Sequence, residues 1–112
     1  MYYTQTTFTI SAAHQLELDY QSPCGNLHGH NWTITVHCKS AGLDNAGMVM
    51  DFKTIKTFIR DYMDHRNLNI LMSGMNPTAE NMAKWICDKL GPICYKVEVQ
   101  ETEGNVAIYE RD

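Results

Sequence analysis

The sequence predicts a single α+β domain over residues 1–112, with an antiparallel sheet and the element order ββααββ. Three observations predict it. A chain of 112 residues has room for one hydrophobic core. Two helical patterns are adjacent in the middle of the chain, and alternating segments typical of strands flank them on both sides. Hydrophobic residues make up 44% and charged residues 20%, which is ordinary globular usage and disfavours a disordered chain.

Two strands are predicted before the helices. Residues 2–11 are rich in Thr, Tyr, Phe and Ile, which suit a half-buried strand. Residues 12–27 contain Pro23 and Gly25 without a sustained period, so they predict a long loop, and long loops in small domains are often functional. Residues 28–39 alternate, with Trp32, Ile34 and Val36 on one parity, which predicts the second strand.

Two helices and a hairpin follow. Asp51 precedes apolar residues at helical spacing, which predicts a helix to about residue 64, and residues 66–76 are expected to form a loop. Pro77 and Thr78 open a second helix that stops at Gly91. Residues 95–100 then alternate, and a turn at 103–105 leads into the short run 106–110, which predicts a terminal hairpin.

Charge and composition exclude several classes of protein. Nine Lys and Arg oppose thirteen Asp and Glu, a net charge of -4, which is the wrong sign for a broad nucleic-acid surface. We find no apolar run long enough for a bilayer and no secretion signal, so we expect a soluble, cytoplasmic protein. Four cysteines without a disulfide-like spacing are expected to be reduced, and a domain this small is expected to oligomerise.

Three histidines are candidate metal ligands. His28 and His30 are two residues apart at the start of a strand, so both rings should point to one face. His14 ends the first strand and completes a three-nitrogen site if the two strands are neighbours. Three histidines with one open position are typical of catalytic zinc, although a His-x-His pair can also be a polar strand face without metal. His37 has the opposite parity and is predicted to be structural.

Cys24 lies four residues before His28 and has two interpretations. It is either a fourth ligand that closes a structural zinc site, or an unligated thiol beside the metal that serves as base or nucleophile. Cys38 lies eight residues beyond His30 and is too far along the strand to share the ion, and Cys87 and Cys94 are predicted to be small buried residues.

Three further residues are candidates for proton transfer or ligand binding. Asp64 and His65 end the first helix, where a carboxylate can orient an imidazole for proton transfer, but the same pair can simply cap the helix. Glu101 has the parity of Val99 and should face the core side of the sheet. A buried carboxylate there either pairs with a protein donor or accepts two parallel N–H groups from a ligand.

Six segments together resemble one known family, the 6-pyruvoyl-tetrahydropterin synthase family. They are FTISAAHQL (8–16), CGNLHGHNW (24–32), MDF (50–52), DHRNLN (64–69), NPTAEN (76–81) and QET (100–102). Cys24 placed ahead of His-Gly-His is similar to the bacterial branch that forms 6-carboxy-5,6,7,8-tetrahydropterin for queuosine and other 7-deazapurines.

The resemblance implies a role for each candidate residue. His14, His28 and His30 would be the zinc ligands, Cys24 the catalytic thiolate, Asp64 and His65 its proton-relay partners, and Glu101 the anchor of the pterin. It also implies a tunnelling fold (T-fold), a ββααββ unit with two helices on one face of its sheet. Three such units would form a trimeric barrel, and two trimers a homohexamer with active sites between subunits.

The implied reaction converts 7,8-dihydroneopterin triphosphate to 6-carboxy-5,6,7,8-tetrahydropterin, acetaldehyde and triphosphate. One alternative is elimination of triphosphate with the carbon chain retained, which gives 6-pyruvoyl-tetrahydropterin. Another is a zinc-stabilised pterin-binding module without turnover.

Overall fold

The computed structural model describes residues 1–112 and contains one five-stranded sheet with three helices. The elements are β1 (Tyr2–His14), β2 (His28–Ser40), α1 (Phe52–Met63), β3 (Arg66–Asn67), α2 (Leu68–Leu71), α3 (Ala79–Leu90), β4 (Cys94–Thr102) and β5 (Asn105–Glu110). The strand order is β3-β1-β2-β4-β5, and only the short β1–β3 pairing is parallel. The predicted α+β class with an antiparallel sheet is confirmed.

Both predicted long helices form where their capping residues lie. The Asp51 side chain accepts a hydrogen bond from the Lys53 backbone N–H at 2.8 Å and starts α1. The Thr78 side chain accepts a hydrogen bond from the Asn81 backbone N–H at 3.1 Å and starts α3. Gly91 ends α3 with a positive φ of 86°, a conformation that glycine adopts without strain. The buried faces of these helices join the core of the sheet.

Strand register determines which residues meet at one end of the sheet. β1 pairs with β2 along its whole length, so His14 lies directly opposite His28 and Ala12 opposite His30. β2 also pairs with β4, with Ile34 opposite Val99. Three adjacent strands therefore bring their ends to the same corner of the molecule.

Two predicted loops are partly wrong. The segment 12–27 was expected to be loop from its start, but β1 continues to His14 because pairing with β2 stabilises residues that lack a strong strand pattern. The segment 66–76 contains β3, which adds to the edge of β1, and the single turn of α2, started by the Asn67 side chain. Periodicity cannot reveal elements of two and four residues.

The opposite face of the sheet carries a separate polar pair. His37 Nε2 lies 2.6 Å from Glu98 Oε2, so this histidine is a satisfied structural residue, as predicted. All four cysteines are free; Cys87 and Cys94 are buried, as predicted, and Cys38 is buried as well. No helix of the protein is long and apolar enough to cross a membrane.

Candidate metal centre

Four side chains converge at the end of the sheet where β1, β2 and β4 meet. His14, His28, His30 and Glu101 each offer one ligand atom, and these atoms all lie within 4.8 Å of one another. The expected convergence of three imidazoles is therefore present. The arrangement follows from register, because His14 and His28 are cross-strand partners and His30 shares the face of His28.

Backbone carbonyls determine which nitrogen of two of these rings is free. His14 Nδ1 lies 2.8 Å from the Pro77 carbonyl oxygen, and His28 Nδ1 lies 2.6 Å from that of Asn26. A carbonyl only accepts, so each Nδ1 carries the proton and each Nε2 keeps a lone pair. Burial lowers the pKa of His14, the Pro77 carbonyl opposes this shift and the nearby His28 adds to it, so the ring is held neutral.

The two free nitrogens face each other. Nε2 of His14 and Nε2 of His28 are 3.0 Å apart. Two lone pairs at that separation repel unless a cation lies close to both. The pair is therefore arranged as metal ligands are, with the second nitrogen of each ring bonded to an orienting group.

The third imidazole has a buried nitrogen without a hydrogen bond. His30 Nε2 lies 3.1 Å from Glu101 Oε1, but the buried nitrogen has no hydrogen-bond partner of acceptable geometry. An unpartnered buried polar atom is costly, and a metal ion would satisfy it. Three imidazoles and a carboxylate are a donor set that zinc and other divalent transition metals accept, so these residues fit such an ion.

Trp32 forms the floor of the cluster, a role that the sequence reasoning missed. Its buried ring contacts His14 and His30 edge to face, with centroids 4.9 and 5.1 Å away. Its indole N–H donates to the Ala12 carbonyl at 3.1 Å, which locks the ring. The parity of Trp32 matches that of His28 and His30, and this signal could have indicated its place beneath the site.

Cys24 lies next to the cluster along the chain but is not part of it. It occupies a 3-10 turn, Pro23–Gly25, where its N–H donates to the Ser22 side chain at 3.2 Å and its side chain is half-buried. The fourth group near the imidazoles is Glu101, not this thiol. This placement supports the interpretation of Cys24 as an unligated thiol.

Asp64 and His65 form a pair at the end of α1, outside the metal cluster. Asp64 Oδ1 accepts a hydrogen bond from the Ser11 N–H at 2.8 Å, and this bond is the main cause that lowers the pKa of Asp64. The same oxygen lies 3.2 Å from His65 Nδ1. The capping role is thus present, and the carboxylate also orients the imidazole.

His65 has an unusual backbone conformation. Its φ is 59°, in the left-handed region that non-glycine residues seldom adopt, and its N–H donates to the Ser11 carbonyl at 2.6 Å. The side chain is 82% exposed. Strain of this kind persists where the surroundings impose it, and it often accompanies functional residues.

The fold and the site together define a small α+β protein in which three histidines and a glutamate converge and could hold a metal ion. The chain belongs to the 6-pyruvoyl tetrahydropterin synthase family, an enzyme family whose model matches residues 3–112.

Individual relatives agree with this assignment. The 6-carboxy-5,6,7,8-tetrahydropterin synthase of Synechocystis sp. is 36% identical over 91% of this chain and 88% of the relative. The 6-pyruvoyl tetrahydrobiopterin synthase of Dictyostelium discoideum is 34% identical over 77% and 72%. Among solved structures, the Caenorhabditis elegans 6-pyruvoyl tetrahydropterin synthase superposes with a TM-score of 0.80 at 28% identity, covering 99% of this chain and 96% of its own.

Proposed function

We propose that the protein converts 7,8-dihydroneopterin triphosphate and one water molecule to 6-carboxy-5,6,7,8-tetrahydropterin, acetaldehyde and triphosphate, with zinc as its metal. The observation that carries the proposal is the separation of roles at the site. Three imidazoles converge with Glu101, while the Cys24 thiol lies outside this group of converging donors. The similarity to a cyanobacterial relative that carries the name of this activity favours this product.

His14, His28 and His30 would hold the zinc ion. When bound, the ion would supply a positive charge that polarises hydroxyl or carbonyl oxygens of the substrate side chain. The Pro77 and Asn26 carbonyls would hold two of the imidazoles in the tautomer and orientation that direct Nε2 at the ion.

Glu101 would bind the pterin ring. Its carboxylate can accept two parallel N–H bonds, a geometry offered by the amino group and adjacent ring nitrogen of a pterin. A cavity of about 410 Å³ lies beside it, between the first turn of α3 and the β4–β5 turn, and this volume is within the ordinary range for small-molecule sites. Because the carboxylate is near His30, the same group would place the substrate side chain close to the metal.

Cys24, Asp64 and His65 would transfer protons. Cys24 would take a proton from a carbon of the substrate side chain. Asp64 bonds to His65 Nδ1, so Nε2 of that ring would be free to give or accept a proton at another atom of the substrate. Because His65 is exposed, its partner in catalysis would come from a neighbouring subunit.

A second candidate reaction yields 6-pyruvoyl-tetrahydropterin. A relative that carries that name is almost as similar as the carboxy-forming one, at 34% against 36% identity. The reactions differ in the fate of the side chain, so the products separate them. Zinc-loaded protein is incubated with dihydroneopterin triphosphate, acetaldehyde is measured with alcohol dehydrogenase and NADH, and the pterin is identified by mass.

We expect acetaldehyde and triphosphate in equal amounts, together with a carboxylated pterin. Release of triphosphate with a pyruvoyl product and no acetaldehyde would replace the proposal with the second candidate. Pterin binding without any turnover by the zinc-loaded protein would indicate the non-catalytic module. Cys24→Ala is the control for background breakdown of the substrate.

We also propose that the chain assembles as a trimeric barrel and that two trimers form a homohexamer. Strand β5 lies at the edge of the sheet, and its Val106 and Ile108 side chains are 48% and 57% exposed. An unprotected edge strand invites pairing with another copy. Light scattering should give six times the 12.8 kDa chain mass, and a monomer would contradict the assembly.

A further inference from the structure

We propose that Asn69 and Asn76 are positioning residues for Cys24. They fix the backbone of residues 15–17, and this segment in turn holds the turn that carries the thiol. The inference deepens the proposed function and rests on it, since it assigns the residues that place the Cys24 thiol, the proposed base.

Asn69 bonds to both backbone groups of one residue. The Gln15 N–H donates to Asn69 Oδ1 at 2.7 Å, and Asn69 Nδ2 donates to the Gln15 carbonyl at 2.7 Å. A side-chain amide in this geometry replaces the neighbouring strand that β1 no longer has beyond His14. Because β3 ends at Asn67, the amide of Asn69 continues the pairing for one more residue.

Asn76 makes the same pair of bonds to Glu17, two residues after Gln15. The Glu17 N–H donates to Asn76 Oδ1 at 2.9 Å, and Asn76 Nδ2 donates to the Glu17 carbonyl at 3.0 Å. Two separate asparagines therefore bond to alternate residues of the segment. In an extended chain, alternate residues direct their backbone groups to the same side, so both amides act on one edge.

The intervening residue bonds to the other side, towards Cys24. The Leu16 N–H donates to the Cys24 carbonyl at 2.9 Å, and Gln15 Nε2 donates to the Gly25 carbonyl at 2.9 Å. The segment 15–17 is thus fixed between the two asparagines on one edge and the Cys24 turn on the other.

This connection matters because the Cys24 turn has little other support. The hydrogen bonds within it, from Gly25 to Ser22 and from Asn26 to Pro23, are local, and the Asn26 carbonyl bonds to the His28 ring at the start of β2 but not to β1. The bonds from Gln15 and Leu16 are what set its distance from β1. A catalytic group displaced by about 1 Å can lose about 100-fold in rate, so such bonds affect turnover more than stability.

The test uses Asn69→Ala in the zinc-loaded protein. Asn45→Ala is the matched control, because Asn45 lies in an exposed turn and its side chain makes none of these bonds. The first measurement is the rate of alkylation by iodoacetamide. Cys38, Cys87 and Cys94 are fully buried, so labelling of the folded protein reports on Cys24.

We expect Asn69→Ala to raise the alkylation rate at least about threefold and to lower kcat at least about tenfold, because the turn is no longer held in place. KM and zinc content should match those of the control, since neither Glu101 nor an imidazole is touched. A purely structural role would lower the melting temperature without this split between kcat and KM.

Alkylation and kcat equal to those of Asn45→Ala would overturn the proposal. If Asn69→Ala does not fold, two milder variants replace it. Asn69→Asp retains the acceptor for the Gln15 N–H and loses only the donor to the Gln15 carbonyl. Gln15→Ala, at an exposed position, removes the side-chain bond to the Gly25 carbonyl. Unchanged labelling and kcat in both would likewise overturn it. Failure of the proposed function is distinguishable, because Cys24→Ala would then keep its turnover while Asn69→Ala would still label faster.

Discussion

Nε2 of His14 and Nε2 of His28 lie 3.0 Å apart, while the other nitrogen of each ring is bonded to a backbone carbonyl. The arrangement leaves two lone pairs directed at each other in a corner of the sheet. His30 adds a third nitrogen, buried and without a hydrogen bond. A cation bound at this corner would satisfy all three nitrogens.

Replacement of His30 by alanine should remove the metal. The change deletes one of three imidazole ligands, and zinc binding should weaken at least about 100-fold, since loss of even an outer-shell partner costs 10- to 100-fold. Zinc content after dialysis against a mild chelator measures the effect. His37→Ala is the matched control, because His37 comes from the same strand but points to the opposite face, where it bonds to Glu98. Equal zinc loss in both variants would refute the site.

Replacement of Cys24 by alanine should abolish turnover but leave zinc content and assembly intact. The thiol lies outside the group of converging donors, so its loss removes a proton acceptor and no ligand. Turnover and metal content are measured on the same sample. Cys87→Ala should remain active, with a stability loss on the order of 1 kcal/mol from the small cavity. Metal loss in Cys24→Ala would show that the thiol is a ligand after all.

Replacement of Glu101 by glutamine should impair substrate binding more than metal binding. The neutral amide is isosteric, but it cannot accept two charge-assisted N–H bonds, each stronger than a neutral one by about twofold. KM should therefore rise at least about tenfold, which corresponds to about 1.4 kcal/mol. Glu98→Gln, on the opposite face, serves as the control. Loss of zinc from Glu101→Gln with an unchanged KM would instead make Glu101 a ligand.

The Asp64 carboxylate should make the stability of the apo-protein depend on acid pH. The Ser11 N–H lowers the pKa of Asp64 below its ordinary value of 3.8, so the group stabilises the fold fully above that value. As the pH falls through the lowered pKa, the folded protein must also bind the proton, and the contribution is lost. Urea unfolding between about pH 6 and pH 2 measures it, and about 1 kcal/mol is expected.

Asp64→Asn provides the comparison for this measurement. The amide oxygen still accepts from Ser11, but it does not titrate in this range. The unfolding free energy of the wild-type protein should therefore fall relative to that of Asp64→Asn as the pH decreases, and the fall should be complete below the lowered pKa. Parallel unfolding free energies at every pH would show that the hydrogen bond does not favour the charged carboxylate.

Local sequence signals predicted the long elements well. The α3 limits follow from Thr78 and Gly91, whose capping chemistry acts within one turn. The strand pattern itself stopped near residue 11, since the continuation of β1 to His14 depends on pairing with β2, and β3 depends on the edge of β1. Such pairing partners are distant in sequence, and the periodicity of one segment cannot reveal them.

The same division applies to the site. Strand parity predicted that His28 and His30 share a face and that Glu101 lies on the core side of its own strand, because side chains alternate along any strand. It could not predict that Glu101, and not Cys24, would complete the group around the imidazoles, because this depends on the relative placement of β4 and a loop. The sequence also could not predict that the Pro77 and Asn26 carbonyls bond to His14 and His28, because every residue has a carbonyl and only the fold selects these two.

The corner position of the metal centre has a consequence for biosynthesis. A nascent chain that has emerged up to Met63 already carries all three imidazoles, but it lacks the Pro77 carbonyl that turns His14 and the carboxylate of Glu101. Two strands alone are also marginal in water. A metal ion held by this full set of groups would therefore bind only after β4 has been synthesised, and it would stabilise a completed sheet instead of nucleating one.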